Sequence, residues 1–184
     1  VQYRSKMADE ELRLEQARSL ARLCQEAGVP LIINDHVELA IEVRAAGVHL
    51  GREDARIFQA RLKLGHEKII GISCYNEFES AVEAERNGAD YVAFGAFFVS
   101  ATKPAAVTAS VELLQQGTRE IGIPIVAIGG INSDNAAELI SAGADAVAVS
   151  NALFGAHDIR SEAGKFSELF KRPPFHSSLS RTNQ

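Results

Sequence analysis

The sequence has few cysteines and no long hydrophobic run. Cys24 and Cys74 are its two cysteines, and they lack the CxxC or Cys/His spacing of a zinc site or a disulfide framework. No apolar stretch approaches the ~20 residues that a membrane helix needs. A basic and apolar leader is also missing at the N-terminus. We therefore expect a cytoplasmic protein with reduced cysteines and no membrane partner.

A surplus of positive charge is missing as well. The 184 residues carry 19 Lys and Arg against 24 Asp and Glu, for a formal net charge of -5. Proteins that bind nucleic acid rely on clustered cations, so we expect small-molecule ligands and no nucleic-acid partner. The length fits one domain, which we predict over residues 1–170, with a flexible tail over 171–184 that is polar and interrupted by proline. Assembly into a homo-oligomer is compatible with the sequence.

A recurring phrase, a small residue and Gly followed by an apolar run, predicts strands that alternate with helices. Gly at a helix end and a short, nearly continuous apolar run are typical of buried parallel strands in α/β proteins. With the opening "VQYR" and "KIIGIS", seven strands are predicted; the others are "AGVPLIIND", "AGVHLG", "NGADYVAFG", "IGIPIVAIGG" and "AGADAVAVS". Polar residues after nearly every strand, without a GxGxxG fingerprint, favour a (β/α)8 TIM barrel over a doubly wound sheet.

Polar residues at the predicted strand ends converge on one mouth if the chain forms a barrel. Cations, carboxylates and glycines in one place indicate phosphate and metal binding. The candidates are Gln2, Arg4, Lys6, Asn34, Asp35, His49, Asp54, Ser73, Ser100, Thr102, Lys103, Gly129, Gly130, Ser150 and Asn151.

The first strand carries an unusual polar face. Its period of two places Gln2, Arg4 and Lys6 on one side and Tyr3 and Ser5 on the other. Two cations beside an amide suit an anion such as a diphosphate. A solvated edge strand is the alternative.

Two carboxylates follow neighbouring predicted strands. Asp35 and Asp54 could share Mg2+, which takes few protein oxygens together with substrate phosphate. Each Asp could instead cap the helix that follows its strand.

Four further segments carry candidate residues. "IGGIN" and "VSNALF" place Gly130, Ser150 and Asn151 before helices, where backbone amides bind phosphate; a tight turn is the alternative for the glycines. The loop "FFVSATKPAA" could hold a second phosphate or be an ordinary exposed loop. His49 lies within an apolar strand, which favours a hydrogen-bonded core histidine over a catalyst.

Taken together and in order, the motifs resemble the thiamine phosphate synthase family, also called thiamine-phosphate pyrophosphorylases. The resemblance covers about residues 1–155. It is carried by "VQYRSK", "LIINDHVELA", "AAGVHLGREDA", "IGISCYN", "GADYVAFGAFF", "SATKP", "IPIVAIGGI" and "GADAVAVSNALF".

The resemblance implies a Mg2+-dependent transferase. Such an enzyme joins hydroxymethylpyrimidine diphosphate to hydroxyethylthiazole phosphate in a dissociative reaction, forming thiamine phosphate and releasing diphosphate. It implies that Asp35 and Asp54 bind Mg2+ and that Arg4, Lys6 and Lys103 act on the departing diphosphate. The implied substrate-binding residues are Gln2, Arg4, Lys6, Asn34, Ser73, Ser100, Thr102, Lys103, Gly130, Ser150 and Asn151.

Two features depart from the family pattern. Ser5, Arg52, Tyr75 and Val99 replace residues that are common in the family at those positions. Members also have a strand and a helix ahead of the "VQYRSK" strand, so we expect the sequence to lack its first βα unit.

Other functions remain open on the same scaffold. A thiazole tautomerase shares the thiazole-phosphate site but has no need of a diphosphate and Mg2+ apparatus. A non-catalytic binder of phosphate ligands is a further alternative. An isomerase or aldolase is disfavoured because no strand carries a Lys at a Schiff-base position and no acid-base pair is evident.

Overall fold

Seven parallel strands form one curled sheet in the part of the chain that the structure describes. The structure is a computed structural model, and it describes residues 1–51, 57–98 and 108–171. The strands are β1 (Gln2–Tyr3), β2 (Ile32–Asn34), β3 (Gly47–Leu50), β4 (Ile69–Tyr75), β5 (Tyr91–Phe94), β6 (Ile125–Ile128) and β7 (Ala146–Ala148). Their order in the sheet is their order in the chain, and every pairing is parallel. This confirms the predicted barrel class, with seven strands in place of eight.

Helices connect the strands and cover the outer face of the sheet. They are α1 (Glu10–Glu26), α2 (Val37–Glu42), α3 (Ile57–Leu64), α4 (Phe78–Arg86), α5 (Val111–Glu120), α6 (Ala136–Ser141), α7 (Asn151–Phe154) and α8 (Ile159–Lys171). None of these helices is long and apolar enough to cross a membrane. Residues 172–184, nearly all of the predicted tail, lie outside the described residues.

The core lies between the sheet and the helices because strand side chains alternate between two faces. Ile33, Val48 and Val92 are fully buried on the outer face, and they share one hydrophobic core with helix residues such as Leu114 and Leu139. The alternate positions point to the inner face, where the side chains of neighbouring strands contact one another. This face is where a barrel places its functional groups.

The recurring "GAD" phrase fixes the start of two strands. The Asp90 carboxylate accepts a hydrogen bond from the Ile70 backbone N–H at 2.7 Å, and the Asp145 carboxylate accepts one from Ile125 N–H at 2.8 Å. Arg61 Nη2 also lies 2.7 Å from the Asp90 carboxylate. The phrase therefore ties each strand to its predecessor in the sheet, a role that its recurrence alone did not reveal.

The first strand is shorter than the alternation predicts. β1 ends at Tyr3, and the next residues turn toward α1, with Ser5 Oγ accepting a 3.3 Å hydrogen bond from Ala8 N–H. The period of two therefore stops before Ser5. The prediction that Ser5 faces away from Arg4 and Lys6 is wrong, because all three line one cavity.

Candidate active site

A basic cavity of about 270 Å³ opens where β1 and β2 end. It is lined by Arg4, Ser5, Lys6, Arg13, Asn34, Asp35 and His36. The structure thus brings together four of the residues singled out in the sequence, from two separate loops. Three permanent cations and one carboxylate face the same space, an arrangement that suits a polyvalent anion.

The backbone holds Asp35 in a conformation that most side chains avoid. Its φ is 64°, in the left-handed region that Asp tolerates better than most residues. Its N–H donates to the His49 carbonyl of β3 at 2.9 Å, and His36 N–H donates to the Asn34 carbonyl at 2.8 Å. This tight turn leaves the Asp35 side chain exposed at the cavity.

Asp35 does not cap the helix that follows it. The N-cap position of α2 is His36, and no side chain there bonds to the helix. The capping alternative for Asp35 is therefore wrong, and its carboxylate stays available to a ligand.

Arg13 is a cavity residue that the sequence reasoning missed. It lies in the first turns of α1, whose N-terminus is capped by the Asp9 carboxylate on Leu12 N–H. Its Nη2 donates to the Ala8 carbonyl at 2.6 Å, and its buried Nε has no partner among the described residues. A cation in the first turns of a helix that follows a strand is the signal that could have found it, since such helices begin at the barrel mouth.

A second polar group lies on the inner face of the sheet. His49 is 8% exposed, with Nδ1 2.8 Å from the Tyr91 hydroxyl and Nε2 2.8 Å from Ser73 Oγ. Burial lowers the pKa of His49 to about 4. The interpretation of His49 as a hydrogen-bonded core histidine is confirmed.

Tyr91 completes this inner group and was not singled out in the sequence. Burial raises the pKa of Tyr91 to about 12, and a hydrogen bond with the Gln2 side chain opposes that rise. The sequence signal was faint, because a Tyr at the start of an apolar run is common in buried strands.

The two glycines that follow β6 lie where there is no room for a side chain. Gly129 has φ 100° and Gly130 has φ 65°, and a Cβ at either position would overlap Ala96 or Phe98. The tight-turn interpretation therefore has a direct structural cause. Phosphate binding at Gly130 stays a prediction that this packing does not oppose.

Ser150 and Asn151 lie at the neighbouring strand end. β6 and β7 are paired, with Ile128 opposite Ala148, so Gly130 and Ser150 each follow their strand by two residues. Both Ser150 and Asn151 are exposed, and α7 begins at Asn151.

Several predicted residues fall outside the described part of the chain. Asp54 and Arg52 lie in the gap at 52–56, and Val99, Ser100, Thr102 and Lys103 lie in the gap at 99–107. Within the described ranges, no three His, Cys, Asp or Glu side chains are grouped as a metal site would require. Asp35 is the predicted metal ligand that the structure places at the cavity.

Known proteins resemble the chain over nearly its whole length. The family model described as thiamine monophosphate synthase matches residues 1–153. A thiamine-phosphate synthase of Nitrosospira multiformis is 78% identical over 184 residues, covering 100% of this chain and 79% of that protein. One from Nitrosomonas eutropha is 56% identical over 170 residues, covering 92% of this chain and 80% of its own length.

A solved structure extends the similarity to three dimensions. The thiamine phosphate pyrophosphorylase from Pyrococcus furiosus superposes with a TM-score of 0.83 at 37% identity. The alignment covers 92% of this chain and 81% of that one. The fold and the order of the motifs therefore agree with one family.

Proposed function

The chain belongs to the thiamine monophosphate synthase family, and from this premise we propose its substrates and mechanism. It is a transferase. It condenses hydroxymethylpyrimidine diphosphate with hydroxyethylthiazole phosphate, forming thiamine phosphate and releasing diphosphate. The observation that carries this proposal is the basic cavity lined by Arg4, Lys6, Arg13 and Asp35.

The cavity supports a diphosphate as the bound anion. Arginine presents a planar fork of donors that matches phosphate oxygens, and lysine adds a point charge. Arg4 and Lys6 are exposed, so both can move onto a ligand without breaking a contact in the core. A neutral ligand would leave three cations facing a single carboxylate.

A divalent cation would give the Asp35 carboxylate a role beside a diphosphate. Without a metal, a carboxylate next to an anion is repulsive. Its oxygens are ligands that Mg2+ prefers together with substrate phosphate, so the residues present fit the ion. Asp35, with Asp54 from outside the described residues, would hold Mg2+, which when bound neutralises charge on the diphosphate.

The remaining candidates are assigned by the family resemblance. Gln2, Asn34 and Ser73 would bind the pyrimidine substrate, and Lys103 would face the leaving diphosphate. The thiazole phosphate would bind Ser100, Thr102, Gly130, Ser150 and Asn151.

The proposed reaction is dissociative. The bond between the pyrimidinylmethyl carbon and the diphosphate oxygen breaks, its electron pair leaves with the diphosphate, and the thiazole nitrogen supplies the pair for the new carbon–nitrogen bond. Arg4, Lys6 and Lys103 stabilise the charge that grows on the leaving group, and only interactions that strengthen in this way accelerate the step.

A covalent enzyme intermediate is not supported by the described residues. Burial raises the pKa of the Cys74 thiol to about 12, so it is not an activated nucleophile. Ser73 does contact His49, but burial lowers the pKa of that imidazole to about 4. Such a weak base does not activate a hydroxyl at neutral pH.

Substrate omission tests the proposal and separates it from its alternatives. The chain is incubated with Mg2+ and both substrates, then with each substrate alone, and products are separated by chromatography. We expect thiamine phosphate only when both substrates are present. Conversion of a thiazole phosphate isomer alone would indicate a tautomerase. Thermal stabilisation by both ligands without product would indicate a binder, and either result would overturn the proposal.

A further inference from the structure

A line of three polar side chains crosses the inner face of the sheet. Tyr91 of β5 hydrogen-bonds to His49 of β3, and His49 to Ser73 of β4; each contact measures 2.8 Å. The His49 and Tyr91 rings also stack, with centroids 5.5 Å apart and planes at 28°. The line ends at Ser73 and includes two residues, Tyr91 and His49, that have no assigned role.

A glycine in β4 leaves room for the contact between Tyr91 and His49. Gly71 of β4 lies between its sheet partners His49 on β3 and Tyr91 on β5. A Cβ at Gly71 would overlap the Tyr91 ring, including its Cζ and hydroxyl oxygen. Because position 71 has no side chain, the phenol lies across β4 and reaches His49 two strands away. The contact thus depends on a feature of the sheet and not on chance proximity of surface groups.

The donors and acceptors available determine which atom donates in each hydrogen bond of this line. The Tyr91 hydroxyl lies 2.8 Å from His49 Nδ1, and a phenol that is largely removed from water needs an acceptor for its proton. The Tyr91 hydroxyl therefore donates to His49 Nδ1. A neutral imidazole has a single N–H, which lies on Nε2 and donates to Ser73 Oγ.

We propose that Tyr91 and His49 orient the Ser73 hydroxyl so that its proton points to the substrate. Ser73 Oγ already accepts from His49, so the hydroxyl presents a donor to the mouth. It therefore selects a substrate with an acceptor atom at that point, such as an unprotonated ring nitrogen, and disfavours one with an N–H there. This inference rests on the proposed function only in taking Ser73 as a substrate contact. Tyr91 and His49 are positioning residues.

Measuring which His49 nitrogen carries the proton tests the proposed direction of these hydrogen bonds, and it needs no assay of activity. The full chain is labelled with 15N, and the imidazole nitrogens are observed at neutral pH in two-bond 1H–15N correlation spectra. We expect Nε2 to be the protonated nitrogen and Nδ1 the unprotonated one. Tyr91→Phe should remove this bias and give a mixture of tautomers. Protonated Nδ1 in the wild type would overturn the proposal.

A double-mutant cycle tests whether Tyr91 acts through Ser73. Tyr91→Phe keeps the ring and removes one hydrogen bond, so we expect kcat/KM for the pyrimidine substrate to fall roughly tenfold. In a Ser73→Ala background, the same change should have almost no further effect, because sites that share one contact are not additive. Equal effects of Tyr91→Phe in the two backgrounds would overturn the proposal, as would no effect of Tyr91→Phe at all.

The matched control is Tyr3→Phe. Tyr3 is a buried tyrosine on the outer face, where its hydroxyl donates to Gln16 Oε1 of α1 at 2.7 Å. Loss of the Tyr3 hydroxyl should change the free energy of unfolding without changing kcat/KM for the pyrimidine substrate. If the wild type forms no thiamine phosphate, the proposed function fails and the tautomer measurement still decides this inference. If the enzyme is active but His49 Nδ1 carries the proton, this inference is wrong and the proposed function still holds.

Discussion

Asp35 combines an unfavourable backbone conformation with a position at the basic cavity. Its φ of 64° is costly for most residues other than glycine, by about 1 kcal/mol or more. The residue persists there because its N–H is bonded to β3 and its side chain faces the cavity. Strain of this kind is concentrated where a side chain has a functional role, which agrees with a metal ligand.

Asp35→Asn tests that role without disturbing the turn. Asn tolerates the same backbone conformation but supplies no negative charge. We expect kcat to fall by about 100-fold or more, and the Mg2+ concentration for half-maximal rate to rise, because one anionic ligand is gone. The thermal midpoint should hardly change.

The control for Asp35→Asn is Glu26→Gln, which removes one exposed negative charge at the end of α1. It should leave the kinetics unchanged. Near-normal turnover of the Asp35 variant at limiting Mg2+ would contradict the metal assignment.

The secondary-structure elements were predicted from sequence more completely than their contacts. Five of the seven strands follow the Gly-and-apolar phrases, because a buried parallel strand needs a continuous apolar run and the helix before it needs an end. The other two, β1 and β4, begin in "VQYR" and "KIIGIS". The extent of β1 was overestimated, since alternation in the sequence continues through Ser5 while the backbone turns after Tyr3. Arg13 and Tyr91 were missed because their neighbours come from other elements, which no local pattern encodes.

Gly71→Ala tests the packing of three adjacent strands. The new methyl group would overlap the Tyr91 ring, so the ring must leave His49 or β4 must shift. We expect a loss of about 1–3 kcal/mol in the free energy of unfolding together with a lower kcat/KM. Chemical denaturation and steady-state kinetics measure the two effects.

Gly164→Ala is the matched control for Gly71→Ala. Gly164 lies within α8, and a Cβ there meets nothing within 4 Å, so the change should stabilise the helix by up to about 1 kcal/mol. If Gly71→Ala behaved like this control, the close packing of Tyr91 over β4 would be wrong.

At the scale of the whole molecule, the buried His49 links stability to pH. Burial lowers its pKa from 6.5 to about 4, so between these values the unfolded chain binds a proton that the folded chain does not. The neutral imidazole therefore stabilises the fold above pH 6.5, and this contribution is lost as the pH falls toward 4. Its size is at most about 3 kcal/mol.

Denaturant unfolding at pH 7.5 and pH 5 measures this linkage. Wild type should lose more stability on acidification than His49→Gln, which has no titrating group at that position. Tyr91, the other ionisable group that contacts His49, stays protonated throughout, since its pKa is about 12. Parallel losses in the two proteins would show that His49 does not supply the pH dependence.

Under the proposed function, each turnover in the basic cavity releases one diphosphate and forms one carbon–nitrogen bond. A 31P NMR time course with both substrates and Mg2+ measures this stoichiometry, because it follows diphosphate and thiamine phosphate in one sample. We predict that the two products appear at equal rates, one diphosphate for each thiamine phosphate. Release of monophosphate, or of diphosphate without thiamine phosphate, would show that the chain does not catalyse the proposed reaction.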